Sequence, residues 1–211
     1  MSQPATKQRI LDAAEQLFAE GGFHHTSLRA ITTKAGVNLA AVNYHFGNKE
    51  ALVEAIFERR LCPLNTARRQ QLDAVRDRAR AEGRAPGIEE ILRAFIEPTL
   101  AFRDAGPGAR AFISLVGRAL SEPDGVVRGT FIHHMQPLFA YLLELTRVAL
   151  PQLSPQRTFW RLFFALSAIG HTICLLDKPL PWPPGVTPLQ DSEALLAEIL
   201  PFLTAGMEVK E

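Results

Sequence analysis

The run Asn38-Leu39-Ala40-Ala41-Val42-Asn43-Tyr44-His45-Phe46 sets an amide, a phenol and an imidazole on one short helical segment, with Lys49 just beyond it. These groups suit hydrogen bonding rather than covalent chemistry. The Asn43 amide matches the N6/N7 edge of adenine, while Leu39 and Ala40 offer only methyl contacts, such as thymine accepts. Tyr44, His45 and Lys49 at the far end suit phosphate oxygens. Arg29, one element earlier, has the length to reach a guanine or a phosphate. Thr26 and Ser27 present hydroxyls at the opposite flank, together with the Ser27 backbone N–H. Each also has a plain structural reading as a solvated or capping residue, and for Ser27 the cap alone is sufficient.

The surrounding residues supply a scaffold for such a reader. Ser27 can cap a helix through Leu28, Arg29 and Ile31 to Ala35, which Gly36 ends in a left-handed conformation. Val37 is the apolar residue of the turn, and Asn38 caps the second helix. This is the pattern of a helix-turn-helix, whose second helix can enter a DNA major groove. Before it, Ile10, Ala13, Ala14, Leu17 and Phe18 form one apolar stripe on a helix from about Thr6 to Glu20. Gly21-Gly22 stops that helix, and Phe23 folds back into the core. A head this small needs a neighbour to complete its core.

The 23 basic and 22 acidic side chains nearly cancel, so positive charge must act locally and affinity should rely on two copies of the head. Cys62 and Cys174 lack C-x-x-C spacing, which suits a reducing cytoplasm. Asp12, Glu15 and Glu20 exclude a signal-peptide core from the first helix. No uncharged apolar run of about 18 residues is read, which excludes a membrane span. Nucleophile elbow, P-loop and paired acidic motifs are absent, so no enzyme is expected. His133-His134 and His24-His25 are adjacent and point about 100° apart on a helix, so no metal site is expected and no cofactor is implied. His171 and Cys174 lie at i, i+3, where a buried structural cysteine is the plainer reading.

The rest reads as helix, and the fold class is all-α. A fourth helix capped by Asn48 buries Leu52, Val53, Ile56 and Phe57 and continues to Leu61, where Pro63 should bend or break it. The stretch from Asn65 to Glu82 reads as a solvated continuation. Eight arginines between Arg59 and Arg84 admit a second DNA contact, or a solvated face interleaved with Asp73, Asp77 and Glu82. Further helices are expected over Ile88–Arg103, Ala109–Leu120, Val126–Leu150, Pro155–Leu176 and Ser192–Met207, separated by Gly106-Pro107-Gly108, Pro123-Asp124-Gly125 and Pro151. Five prolines between Lys178 and Gln190 make that segment an extended connector, pinned by Trp182 to the body or to a partner. Residues 1–50 are assigned to the DNA-binding head and 51–211 to a ligand-binding and dimerisation domain.

In the second half, Phe112, Leu115, Val116, Met135, Leu138 and Phe163 either enclose an apolar cavity or form ordinary core. Arg118, His134 and His171 are the polar groups placed to meet a carboxylate at its end. The same holds for His133 and Arg161; each of these five can instead face solvent or a helix end. Dimerisation is assigned to the last two long helices, through Phe159, Leu162, Phe163, Leu166, Gly170 and Ile173 on one and Leu195, Leu196, Ile199, Leu200 and Leu203 on the other.

The run ILDAAEQLFAEGGF…TSLRAITTKAGVNLAAVNYHFGNKEALVEAIF, over about residues 5–58, resembles the TetR/AcrR family of one-component bacterial repressors. AA-x-x-LF, the Gly-rich stop, T-S-L-R-x-I, A-G-V, Y-x-F and x-K-x-x-L recur in register. The resemblance implies that Arg29, Asn38, Leu39, Ala40, Asn43, Tyr44, His45 and Lys49 line the DNA face. It also implies a homodimer on a palindromic operator. Asn43 stands where many members carry Tyr, which moves the polar readout to a shorter amide. NLAAVNYHFGNKEAL, together with the Leu-Cys-Pro-Leu-Asn after the fourth helix, F-I-S-L-V-G-R, F-W-R-L-F-F and P-F-L-T-A-G-M, is similar to the fatty-acid-responsive regulators of pseudomonads that control β-oxidation genes. That similarity implies a fatty acid or acyl-CoA as a hydrophobic small-molecule effector. Two other readings stay open: a DNA-binding regulator with no small-molecule ligand, and an acyl-handling enzyme or carrier.

Overall fold

Gln3–Gly21 forms helix α1, in which Ile10, Ala13, Ala14 and Phe18 are buried at the expected spacing, Leu11 joins them, and Leu17 is half-buried. The computed structural model describes residues 3–121, 125–176, 181–189 and 191–209, and among these the regular structure is α-helix throughout. After α1 come α2 (Leu28–Ala35), α3 (Leu39–Phe46), α4 (Lys49–Ala81), α5 (Ile88–Asp104), α6 (Pro107–Ser121), α7 (Gly125–Ala149), α8 (Pro155–Leu175) and α9 (Ser192–Glu208). The expected break at Pro123-Asp124 lies outside the described residues.

The residues pack as two compact units. One comprises Met1–Pro63 and Ala105–Met135, the other Leu64–Asp104 and Gln136–Glu211. In the first, α1 packs on α2, α3 and α6. Its core joins the α1 stripe to Ile31, Val42, Leu52, Val53, Ile56, Phe57, Phe112 and Leu115. The unit that contains the reading helices therefore runs past residue 50 and takes in α6 and the first part of α7. In the second, α9 packs on α5 and α8. Its core is built from Leu72, Ile91, Leu92, Ile96, Leu142, Leu162, Leu200 and their neighbours.

Helix α4 departs from expectation at Pro63. The helix runs unbroken for 33 residues with that proline inside it. A proline removes one backbone bond and costs about 3 kcal/mol in a helix interior. The flanking Leu61 and Leu64 are both buried, and each contributes about 1.5–3 kcal/mol, so packing outweighs the defect. The charged continuation is also less solvated than its composition suggests. Leu64, Arg68, Leu72, Val75 and Ala79 recur at helical spacing and are all buried. The exposed arginines pair with acids as expected of a solvated face: Arg69 and Arg76 with Asp73, Arg76 with Asp77, and Arg84 with Glu82 and Glu90.

Of the proline-rich connector, residues 181–189 are described and are exposed and non-helical, while 178–180 and 190 lie outside the described residues. Trp182 is not packed away into the body, which leaves the partner reading of it. The ring is 48% exposed, because a proline on each side fixes an extended backbone that keeps it at the surface. Helix α8 is long and apolar enough to cross a membrane by length and composition alone. Against that reading, Leu162, Ala165, Ile169 and Ile173 are packed into the unit's own core, and Arg157, Arg161 and His171 lie along the same helix.

Candidate nucleic-acid interface

The turn between α2 and α3 is built from short polar side chains at the positions where helix ends leave backbone groups without partners. The Ser27 hydroxyl accepts from the Ala30 N–H at 3.1 Å, and the Asn38 side chain accepts from the Ala41 N–H at 2.9 Å. Gly36 sits at φ +62°, ψ +42°, where the Val37 N–H donates back to the Thr32 carbonyl at 3.0 Å and closes α2. The Arg9 guanidinium donates to the Ala35 carbonyl and, at 2.9 Å, to that of Gly36, fastening the turn to α1. Asn48 caps α4 through the Ala51 N–H at 2.7 Å.

On this frame α3 buries Val42 completely and leaves Asn38, Leu39, Ala40, Asn43 and Tyr44 exposed, Tyr44 at 74%. Exposed Arg29 and Ser27 belong to the same small structure. His45 is half-buried, its ring edge-on to Tyr44 with centroids 5.1 Å apart. The helix thus turns one amide, one phenol and a row of methyl groups outward, the chemistry needed to read base edges and hold phosphates.

Two of the expected contacts are occupied inside the head. Thr26 is buried, and its hydroxyl donates to the carbonyls of Gly22 at 2.8 Å and Leu17 at 3.2 Å, so it closes the α1 terminus instead of facing outward. The Lys49 ammonium donates to the Phe23 and Thr26 carbonyls at 2.8 and 3.1 Å and lies 4.0 Å from the Phe23 ring centre. It locks the start of α4 to the loop before α2, which leaves a phosphate only its third N–H.

The residues expected to line a ligand cavity are divided. Phe112, Leu115, Val116, Arg118, His134 and Met135 belong to the first unit, while Leu138, Phe163 and His171 belong to the second. Phe112 and Leu115 are fully packed core, and both Phe112 and His134 lie against Phe57. Leu138 is buried, whereas Phe163 and His171 face solvent. Two of the polar head-group candidates already have acceptors: Arg118 donates to the Glu20 carbonyl at 3.0 Å, and His134 meets the Glu54 carboxylate at 2.7 Å. An open cleft of about 360 Å³ lies elsewhere, along Ser154, Gln156, Arg157, Trp160 and Arg161.

The sequence reading missed the buried charges Glu15, Arg68 and Arg103. Glu15 is buried against Arg59 and Arg60. Arg68 donates to Thr99 Oγ1 at 2.8 Å and to Asn65 Oδ1 at 2.9 Å, and its guanidinium lies 4.5 Å from the Phe95 ring centre. Burial lowers the Arg68 pKa to about 9, because the charged form loses its hydration. The Leu64–Arg68–Leu72 spacing is the signal that places this arginine on a buried stripe.

A capped reading helix, braced by α1 and the start of α4 and followed, among the described residues, by further helices only, defines a helix-turn-helix DNA-binding protein with a helical body. Residues 10–56 match the family described as bacterial regulatory proteins, tetR family, and residues 93–206 match its Tetracyclin repressor-like C-terminal domain. The chain belongs to the TetR family, whose members are DNA-binding transcription regulators rather than enzymes. It is similar to the regulator UidR of Escherichia coli, 44% identical over 55 residues, or 26% of this chain and 28% of UidR. It is also similar to SrpR of Pseudomonas putida, 28% identical over 149 residues, or 70% of this chain and 62% of SrpR. These matches span less than two thirds of either relative's length. Among solved structures, the fatty acid degradation regulator FadR of Bacillus halodurans shares the fold, with a TM-score of 0.70, 18% identity and 97% of both chains covered.

Proposed function

We propose that this chain is a cytoplasmic, homodimeric transcriptional repressor that binds a palindromic operator. A hydrophobic small molecule, with fatty acids and acyl-CoA the first class to try, releases it. The observation that carries the DNA part is the outward face of α3: Leu39, Ala40, Asn43 and Tyr44 are exposed on a helix whose apolar anchor, Val42, is fully buried.

The dimer part draws support from α8 and α9, with a change of face. Leu162, Ile173, Leu195, Ile199, Leu200 and Leu203 are packed within their own unit, so the pairing surface falls to their exposed neighbours. Phe159, Trp160, Phe163 and Phe164 form a cluster of aromatic rings at the surface of α8, and Phe202 is 69% exposed on α9. Apolar patches of this kind mark interaction sites. The fatty-acid part rests on the sequence resemblance to fatty-acid-responsive regulators, since likeness to FadR at this identity carries the fold alone. An effector acts only by preferring the form of the dimer that does not fit DNA.

Selection of bound fragments from random duplexes should return an inverted repeat, and adding fatty acids or acyl-CoA of graded chain length to a gel-shift titration on it should release the DNA. A selected sequence without two-fold symmetry would reject the paired reading, and indifference to every chain length would reject the acyl effector. Asn43→Ala should cost about 1–3 kcal/mol at one base step and relax preference there. Equal weakening on all sequences would assign Asn43 to the backbone instead.

A further inference from the structure

Cys62 and Glu54 on α4 meet His134 on α7 within the first unit. The Cys62 Sγ lies 3.7 Å from His134 Nδ1, and His134 Nε2 lies 2.7 Å from Glu54 Oε1. Phe57 stacks on the imidazole, with ring centres 6.1 Å apart and planes 17° apart, so the ring is held in one orientation. The His134 side chain is 13% exposed, while Cys62 is open to solvent and not in a disulfide. A nucleophile, a base and a carboxylate that orients the base thus stand in line.

From this arrangement we infer that Cys62, His134 and Glu54 form a nucleophilic thiol site that takes neutral α,β-unsaturated carbonyl compounds as covalent ligands. The carboxylate fixes the tautomer. Glu54 accepts from the Nε2–H of His134, which leaves the Nδ1 lone pair directed at the thiol. Partial burial, and then the Glu58 and Glu54 carboxylates, hold the Cys62 pKa above its ordinary value. The resting thiol is therefore protonated, and attack needs a base beside it. In the reaction His134 Nδ1 takes the thiol proton while sulfur bonds to the β-carbon. The π electrons of the C=C pass onto the conjugated carbonyl as an enolate, and the α-carbon then takes the proton from His134. One S–H and one C=C π bond are lost, one C–S and one C–H bond are formed, and no oxidant or reductant is needed.

The neighbours select the ligand class. Two carboxylates beside the sulfur repel anionic electrophiles, which leaves neutral ones. A shared metal site is the alternative for such residues. It fails on geometry, because the thiol and the carboxylate meet opposite nitrogens of the ring and cannot share one ion with it. Among the described residues no group of three or more His, Cys, Asp or Glu side chains is arranged to hold a metal.

The test is the rate at which N-ethylmaleimide modifies Cys62, followed by mass spectrometry with peptide mapping. Folded full-length protein is compared with the same protein in urea. A thiol whose pKa is raised by folding reacts more slowly when folded unless a base assists it. We expect Cys62 to react about tenfold faster in the folded chain than in urea, a modest share of what a positioned base can supply. His134→Gln keeps a hydrogen bond to Glu54 but has no base, and it should lose that advantage while its circular dichroism stays native. A folded rate equal to or below the rate in urea overturns the inference without any variant, and so does a folded His134→Gln that reacts as fast as the native chain.

Discussion

Glu15→Ala should lower unfolding free energy by about 3–5 kcal/mol, the range for removing one partner of a buried charge network. The Glu15 side chain is 2% exposed. Arg59 donates to its Oε2 at 2.5 Å, and Arg60 grips both oxygens, through Nη2 to Oε1 and Nε to Oε2, each at 2.9 Å. Arg59 reaches on to Asp12 at 2.6 Å. Truncation leaves two adjacent, mostly buried guanidinium groups facing each other without the carboxylate between them. The network joins α1 to α4 through side chains, so its loss loosens the frame that holds the reading helix. Urea unfolding followed by circular dichroism measures the effect. A change below about 1 kcal/mol, the range of exposed pairs, would mean the network contributes no more than surface charges do. Glu15→Gln, which keeps the shape and part of the hydrogen bonding, should fall between the two.

Ala40→Asp should do the reverse, abolishing operator binding while leaving the fold intact. Ala40 is exposed in the first turn of α3. A carboxylate near a helix N-terminus is favourable by about 0.3–1 kcal/mol, so the thermal midpoint should hold or rise slightly. Against DNA the same charge meets a dense row of phosphates, and like charges brought together across an interface cost several kcal/mol. Every 1.4 kcal/mol is tenfold in affinity, so binding should fall by about a hundredfold or more at moderate salt. Fluorescence anisotropy with a labelled operator would measure it. Retained affinity in a folded Ala40→Asp variant would move the DNA face off this side of α3.

Features governed by neighbours in sequence were the legible ones. Ser27, Asn38 and Asn48 as caps, Gly36 as the left-handed stop and the α1 stripe are set within one or two turns, and the structure has each of them. Long-range partnerships were not. Thr26 and Lys49 look outward on paper because their acceptors are main-chain carbonyls supplied by the folded loop. Glu15 gains its partners only when Arg59 and Arg60, more than forty residues later, are brought to it. Arg68 hides in an arginine-rich stretch whose composition masks its stripe. Pro63 shows the same limit for the backbone, since a local defect was outweighed by the burial of Leu61 and Leu64. The body of the protein repeats the lesson: an apolar stripe shows that a helix is covered, not whether core, cavity or another chain covers it.

The eight-residue length of α3 bounds how much text one copy can read. At 1.5 Å per residue it is about 12 Å long, and at 3.4 Å per step it passes along some three or four base pairs. A four-letter word of four positions turns up by chance about once in 256 steps, while a bacterial chromosome offers on the order of a million competing addresses. A lone reader would be lost among thousands of accidental spellings. Were the word read twice, as an inverted repeat, the odds would square to about one in 65,000, and the thousands of accidental spellings would fall to about fifteen.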